Sequence, residues 1–369
     1  MTNSIPQPRF PQDSSGFFNI LQARVNKYFS DYQLGKSGGT RLIVKSLLML
    51  ILFLSPYFII LSLQPNILLA TVLLIIMGIG KAGVGMAVMH DALHGSLSKR
   101  QWLNNLFGAS IYILGGNVIN WKIQHNVLHH TYPNVYKIDE DVSTKGMIVR
   151  LSPQSKPQGI QKFQHMYTLP LYGLMTLSFL VKDFKQLFRY NNNGITRKQG
   201  KKPTIEIIKL ISTKVAYLSA FLILPIFLTA YSWLHVIVGF LIFHAVAGLI
   251  LSIVFQLAHS VETTDYPEIN AGGNLNDSWA IHQLKTTSNF APKSRWVSWY
   301  TGGLNHQIEH HLFPHISHVH YDNIAEIVKK TAAEFRLPYH SQATVLSALK
   351  SHIRMLKELG TANQLPQVG

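Results

Sequence analysis

Four long apolar stretches restrict what this chain can fold into more than any other feature. They cover residues 42–63 (LIVKSLLMLILFLSPYFIILSL), 67–90, 207–230 and 233–257. Roughly 20 predominantly apolar residues cross a bilayer core as a helix. In hydrocarbon every backbone amide must find its partner within the protein, so such segments are helical. The first two are joined only by LQPN at 63–66, and the last two only by AYSW at 230–233. The chain is therefore expected to be an all-α integral membrane protein, multi-pass, with four transmembrane helices in two antiparallel hairpins. Composition agrees: 14% of residues are charged, against roughly 25% in soluble domains.

Charge sets the orientation. Neither connection carries Lys or Arg, whereas the stretch between the hairpins carries Lys99, Arg100, Lys182, Lys185, Arg189, Arg197, Lys198, Lys201 and Lys202. By the positive-inside rule both termini and the middle region are cytoplasmic. The excess of 33 Lys+Arg over 17 Asp+Glu suits contact with anionic lipid. Without a recognition motif it does not indicate nucleic acid. Residues 1–40 read as a cytoplasmic N-terminal segment with a short amphipathic helix near Phe17, and no cleaved signal peptide is expected. Residues 41–330 form the main domain. The stretches 106–119 and 167–181 are too short or interrupted to span, and 191–202 reads as a polar loop. Amphipathic helices after Tyr321, broken at Pro338, form a cytoplasmic helical cap, with 331–369 as its last part.

Three histidine clusters follow apolar stretches: His90 and His94 in HDALH, His125, His129 and His130 in HNVLHH, and His306, His310 and His311 in HQIEHH. The expected topology puts all three at one membrane face, together with His259 at the end of the fourth span. Neutral imidazole is a common ligand for transition metals. Residues four apart share a helix face, about 6 Å apart along the axis, and a neighbouring residue points about 100° further round. The eight imidazoles of the three clusters alone exceed the needs of one ion, so the simplest reading is a histidine-rich dimetal site. Asp91, Glu309, Asp139, Glu140 and Asp141 are candidates to accept imidazole N–H bonds and fix ring orientation.

Other chemistries fit poorly. No HExxH zinc-protease motif is present, and no Glu-x-x-His pair of the carboxylate diiron bundles. The absence of cysteine removes iron–sulfur ligation and thiolate catalysis. Bis-histidine haem would use only part of the set. Gly78, Gly80 and Gly83 mimic GxGxxG, but no βαβ unit follows, and close helix packing explains them better. Lys81 within the second span either snorkels or pairs with a substrate headgroup or carboxylate.

With HDALH, HNVLHH and HQIEHH, the chain resembles the membrane fatty acid desaturases. GGLNHQIEHHLFP at 302–314, with Gln307 opening the third box, is similar to the front-end branch (linoleoyl-CoA-desaturase-like, Δ5/Δ6). The resemblance runs from about residue 40 to 330. It implies two non-haem iron ions, with ligands His90, His94, His125, His129, His130, His259, His310 and His311. Gln307 would lie near the irons or hold a water. His306 stands where this branch usually has an aromatic residue, and reads as a neighbour or an extra ligand. The implied reaction is O2-dependent insertion of a cis double bond into an acyl-CoA or acyl-lipid chain, with no haem, flavin or NAD bound by the chain itself. Eukaryotic front-end enzymes usually carry a fused cytochrome b5 domain with a His-Pro-Gly-Gly motif. No His-Pro pair occurs here, so an external electron donor is expected: cytochrome b5, or ferredoxin with its reductase. A bacterial inner membrane is favoured over endoplasmic reticulum. Trp121, with Trp102, Trp279, Trp296 and Trp299, is a candidate to line the mouth of an acyl channel between the spans and the 106–119 segment. The rival readings are a hydroxylase, ketolase or epoxidase of the same superfamily, and a non-enzymatic haem or metal carrier.

Overall fold

The computed structural model describes residues 7–143 and 148–361. They group into two compact units interleaved along the chain. The first comprises Gly39–Ile123 and Leu169–Ile253, and the second the described parts of Ile5–Gly38, Gln124–Thr168 and Val254–Gly369. The N-terminal segment and the C-terminal helices, read from the sequence as separate pieces, thus share a unit with residues from the middle of the chain.

Among the described residues, four helices are long and apolar enough to cross a membrane: Gly39–Leu63, Ile67–Leu93, Pro203–Leu228 and Trp233–His259. The third begins before the expected 207 because Pro203 opens its first turn, where a missing N–H costs nothing. Only 22% of the apolar window of the first span is buried in the protein, and Val44, Leu47, Leu48 and Ile51 stand exposed. A belt of that kind is stable only against lipid hydrocarbon. The two hairpin connections meet at one end. The Gln64 side chain accepts a hydrogen bond from Ala230 N at 2.8 Å, and the Tyr231 hydroxyl donates to Pro65 O.

Inside the first unit, small residues set the helix spacing. A Cβ on Gly80 would lie 2.5 Å from Phe53 N, and one on Gly78 would lie 2.7 Å from Val246 Cβ. Those glycines serve close helix contact, as expected for a membrane bundle. The second span is interrupted by a π-helical stretch, Gly85–Met89, immediately before His90. The 106–119 region is a chain of short pieces: Gln101–Gly108, a 3-10 turn Ala109–Tyr112, and Val118–Trp121. None could span. The 191–202 region differs from the expected loop. Helix Met175–Asn192 runs into it, and Gly194 at φ +72° reverses the chain into a further turn, Ile195–Lys198, whose Ile195 and Thr196 are buried. A buried ion pair ties this region to the third span: Lys214 Nζ donates to Asp183 Oδ2 at 2.5 Å, Gly115 O at 2.5 Å and Phe179 O at 2.8 Å.

The core of the second unit begins with helix Phe17–Asp31, whose Phe17, Leu21, Val25 and Phe29 repeat every four residues and form one buried stripe. That stripe packs in one cluster with Ile324, Val328 and Ala332 of helix Tyr321–Glu334, and with Leu284, Ile308 and Leu312. A two-residue parallel pairing of Asn289–Phe290 with Ser341–Gln342 closes the C-terminal segment onto this core. Helix Val345–Thr361 places His352, whose Nδ1 donates to Ser260 O at 2.6 Å. His282 likewise donates through Nε2 to Pro133 O at 3.0 Å. Burial pushes both imidazoles down to about 4, against the pull of those carbonyls. Their folded values lie below the unfolded value, so folding favours the neutral rings. The stability they contribute is complete above about pH 6.5 and is lost as pH falls toward 4, on the order of 3 kcal/mol for each at full protonation. The thermal midpoint in detergent is expected to fall across this window. His352→Asn, whose amide can still donate to Ser260, should flatten the fall. A midpoint independent of pH from 7 to about 4 contradicts this assignment.

Candidate metal centre

Backbone geometry sets where each histidine points. The second box lies on a π-helical segment, Lys122–His129. His130 N bonds to His125 O at 2.9 Å, an i+5 step. His129 still shares a face with His125, their rings stacked with centroids 5.3 Å apart, as four-residue spacing predicts; His130, however, does not diverge. The extra residue per turn brings His125 and His130 together, with their Nε2 atoms 3.2 Å apart. Inserted turns of this kind recur at functional sites because they re-aim side chains within a helix. The third box sits on a short helix, Gln307–Leu312. The chain enters it through Gly303 at φ +71°, where a Cβ would stand 2.6 Å from His318 Cβ.

Within the second unit His129, His259 and His311 form a set whose ligand nitrogens lie within 4.8 Å of one another. Each ring is held from behind by its Nδ1. His129 faces Asp139 Oδ2 at 3.0 Å, His259 faces Thr286 O at 3.2 Å, and His311 faces Gln283 Oε1 at 2.8 Å. With Nδ1 donating, Nε2 carries the free lone pair. The buried Nε2 atoms of His129 and His311 have no hydrogen-bond partner among the described residues. A buried polar atom left unsatisfied is costly, whereas lone pairs converging at this spacing suit an ion with bonds of roughly 2 Å to nitrogen. The residues present therefore fit a transition metal bound by imidazole. Gln307 Nε2 lies 2.9 Å from His259 Nε2, on the ligand side of the ring.

Electrostatics support the same orientation. Burial disfavours a charged His129, but Asp139 and then Asp141 more than offset this and raise its pKa. Asp139 is itself kept ionised by His129 and by the backbone N–H groups of Asn134 and Asp141, against the effect of burial. Burial, then the neighbouring imidazoles of His130, His259, His129 and His125, hold His311 well below the ordinary histidine value, in the neutral form that binds metal. His125, His130 and His310 pack alongside. The His130 ring centroid is 4.5 Å from that of His310 and 4.3 Å from that of His311, and the Tyr321 hydroxyl lies 3.1 Å from His310 Nδ1.

The first box belongs to the first unit. His90 and His94 have ring centroids 4.7 Å apart, and Trp121 stands edge-on to both at 5.7 and 5.5 Å. Asp91 Oδ1 is 3.9 Å from His90 Nδ1. Other candidates fall elsewhere. Glu309 is buried and accepts bonds from Asn289 Nδ2 at 2.8 Å and the Tyr339 hydroxyl at 3.0 Å; the imidazole it faces, at 3.8 Å, is His306. Burial lifts its carboxyl to about 7. His306 faces Ser298 Oγ at 3.4 Å and stands outside the grouped metal ligands. Lys81 does not snorkel: it is 1% exposed. Trp102 and Trp296 are exposed, as suits interfacial anchors.

Apart from Asp139, the groups behind the rings are not legible in the sequence. Gln283 and Thr286 come from helix Trp279–Thr286. Asn134 donates through its amide to His259 O and Asp265 O, and through its backbone N–H to Asp139. None carries a local motif. Partners of this kind typically govern metal affinity by about 10- to 100-fold. Asp139→Asn, which leaves one oxygen where two serve His129, Asn134 and Asp141, is expected to weaken metal retention by that order. Metal remaining after timed chelator challenge measures it, and unchanged retention would remove Asp139 from this role.

A family model described as fatty acid desaturase matches residues 65–343, and the chain belongs to that family. It is accordingly an oxidoreductase acting on fatty acyl chains. It is similar to the sn-1 linoleoyl-lipid 6-desaturase of Arthrospira platensis, 33% identical over 97% of this chain and 96% of the relative. A protein of the same name from Synechocystis sp. is 31% identical over 94% and 96%. The Delta(5) fatty acid desaturase A of Dictyostelium discoideum is 31% identical over 97% of this chain and 78% of its own length.

Proposed function

We propose that this chain is an O2-dependent front-end desaturase that introduces a cis double bond into a lipid-linked fatty acyl chain at the cytoplasmic face of a membrane. Two iron ions would be held by His90, His94, His125, His129, His130, His259, His310 and His311, with Gln307 beside them. The observation that carries the reading is the set of three imidazoles, His129, His259 and His311, each tied back through Nδ1 and presenting Nε2 to a common point. The names of the two cyanobacterial relatives support a lipid-linked substrate.

Iron with O2 would supply an oxidant strong enough to remove hydrogen from an unactivated alkyl chain, which no side chain can do. In the net reaction the two vicinal C–H bonds would give up two electrons and two protons, a separate carrier two more electrons and solvent two more protons, and O2 would leave as two waters. Asp139, Gln283 and the Thr286 carbonyl hold three rings in the tautomer that binds metal. The buried, apolar surroundings, with Phe255 packed on His129 at 5.0 Å, exclude water that would quench the oxidant.

Expression in a host with a suitable electron carrier, followed by mass spectrometry of its fatty acids, tests the reading. A new cis double bond is expected, and it should vanish in His94→Ala and His310→Ala. An inserted oxygen would assign the chain to the hydroxylases, and unchanged lipids would contradict the proposal.

A further inference from the structure

The first unit carries a concentration of positive charge that plays no part in metal binding. Residues 175–202 hold seven Lys and Arg against a single acid, Asp183. That carboxylate is spent on Lys214, and Glu206, the next acid along the chain, lies 3.0 Å from Lys209. Arg197, Lys198, Lys201 and Lys202 all stand exposed on the turn that leads to the third span. Helix Met175–Asn192 presents Val181, Lys185 and Phe188 on one face, each of them exposed. Apolar side chains beside cations suit the headgroup layer of a bilayer.

A second observation gives this charge a focus. Lys122 is half-buried and follows Trp121, the ring that stands edge-on to His90 and His94. Burial, then the positive charge of Lys201, hold its ammonium below the ordinary lysine value, and no carboxylate pulls the other way. Among the described residues no ion pair engages Lys122 or Lys201. Two cations from distant parts of the chain thus repel one another with no acid to offset them. Such an arrangement is costly by itself and becomes favourable once an anion lies between the ammonium groups.

We propose that Lys122 and the basic turn at 197–202 bind the phosphate of an anionic phospholipid, and so select the lipid whose acyl chain is desaturated. The inference rests on the desaturase reading above. In a front-end reaction the new double bond lies only a few carbons from the ester, so the headgroup must sit close to the metal. Lys122 is one residue from the tryptophan that meets the first histidine box. A zwitterionic headgroup brings an ammonium as well, which these cations repel, and Asp183 and Glu206 are already engaged. The lysines are specificity-determining: they hold the headgroup and do not touch the reacting carbons.

The test uses the full chain with its electron carrier, in nanodiscs of phosphatidylglycerol and phosphatidylcholine present in equal amounts with the same acyl chains. Mass spectrometry reads two quantities: the lipid that stays with the chain on extraction into detergent, and the lipid that gains the double bond. Wild type should favour phosphatidylglycerol in both. Lys122→Gln and Lys201→Gln should each lower that preference on the order of fivefold, the scale of one cation beside an anionic headgroup. The double variant should show little preference. Lys350→Gln, which removes an exposed cation of the second unit, should leave it unchanged. Thermal midpoints confirm folding; should Lys122→Gln not fold, Lys201→Gln decides the matter. Equal use of the two lipids by wild type, a preference that survives in the folded variants, or an equal loss in Lys350→Gln overturns the proposal. Faster conversion of added acyl-CoA, lost in the same lysine variants, overturns the phospholipid assignment. A chain that retains phosphatidylglycerol through these lysines yet forms no double bond upholds the phosphate site and refutes the desaturase reading.

Discussion

Replacing His311 with alanine is expected to abolish double-bond formation and, with the proposed two-iron centre, to lower the metal content from two ions to one. His311 supplies one of three convergent nitrogens, its ring is fixed by Gln283, and it is fully buried. Without it the set keeps two imidazoles, and the space left admits water where the site otherwise excludes it. The loss of activity should exceed the roughly 10- to 100-fold typical of losing a partner behind a ligand. Gln283→Ala should show that smaller effect, because the imidazole remains and only its orientation is released. Stability should behave differently. The metal-free His311→Ala protein is expected to melt close to the metal-free parent, since the lost ring carried a buried, unsatisfied nitrogen. Metal analysis, product analysis and thermal unfolding of both variants separate the two effects. A metal content in His311→Ala equal to that of the parent would remove this residue from the proposed ligand set.

The largest effect on stability is expected at Lys214. Its ammonium spends all three donors, on Asp183, Gly115 O and Phe179 O, and both charged side chains are about 5% exposed. Lys214→Met leaves Asp183 buried without its cation, and breaking such a pair from one side costs about 3–5 kcal/mol. The double variant Lys214→Met/Asp183→Leu should recover more than half of that, because a buried pair exchanged for apolar groups is often close to neutral. Recovery stays partial because two carbonyls still lack their donor. Denaturant unfolding in detergent of the parent, both single variants and the double variant measures the coupling. Additive effects of the two single changes would mean that the pair contributes nothing as a pair.

The spanning helices were legible because hydrophobicity alone sets their length and position, and nothing distant in sequence competes with it. The histidines were legible by residue type, and His129, His259 and His311 do come together in the second unit. The pairing within the second box was not. The π-helical winding of Lys122–His129 puts His130 beside His125 in addition to His129, the neighbour that four-residue spacing places there. No local propensity announces such a turn. Of the groups that orient the rings, Asp139 was legible as an acidic neighbour, whereas Gln283, Thr286, Asn134 and Tyr321 are ordinary residues whose roles depend on long-range contact. Lys81 stands out in an apolar span by residue type alone, but its partners Tyr217 and His244 lie more than a hundred residues away. Glu309 faces the third-box imidazole of His306 at 3.8 Å, but the bonds that hold its carboxylate come from Asn289 and Tyr339, which no local pattern announces.

The most direct test is the metal content of the purified, reconstituted chain, read by elemental analysis together with Mössbauer spectroscopy. Two irons per polypeptide in nitrogen-rich coordination, falling to one in His311→Ala, is the predicted result. A parent protein that holds one iron or none, or that binds zinc in preference to iron, would contradict the account.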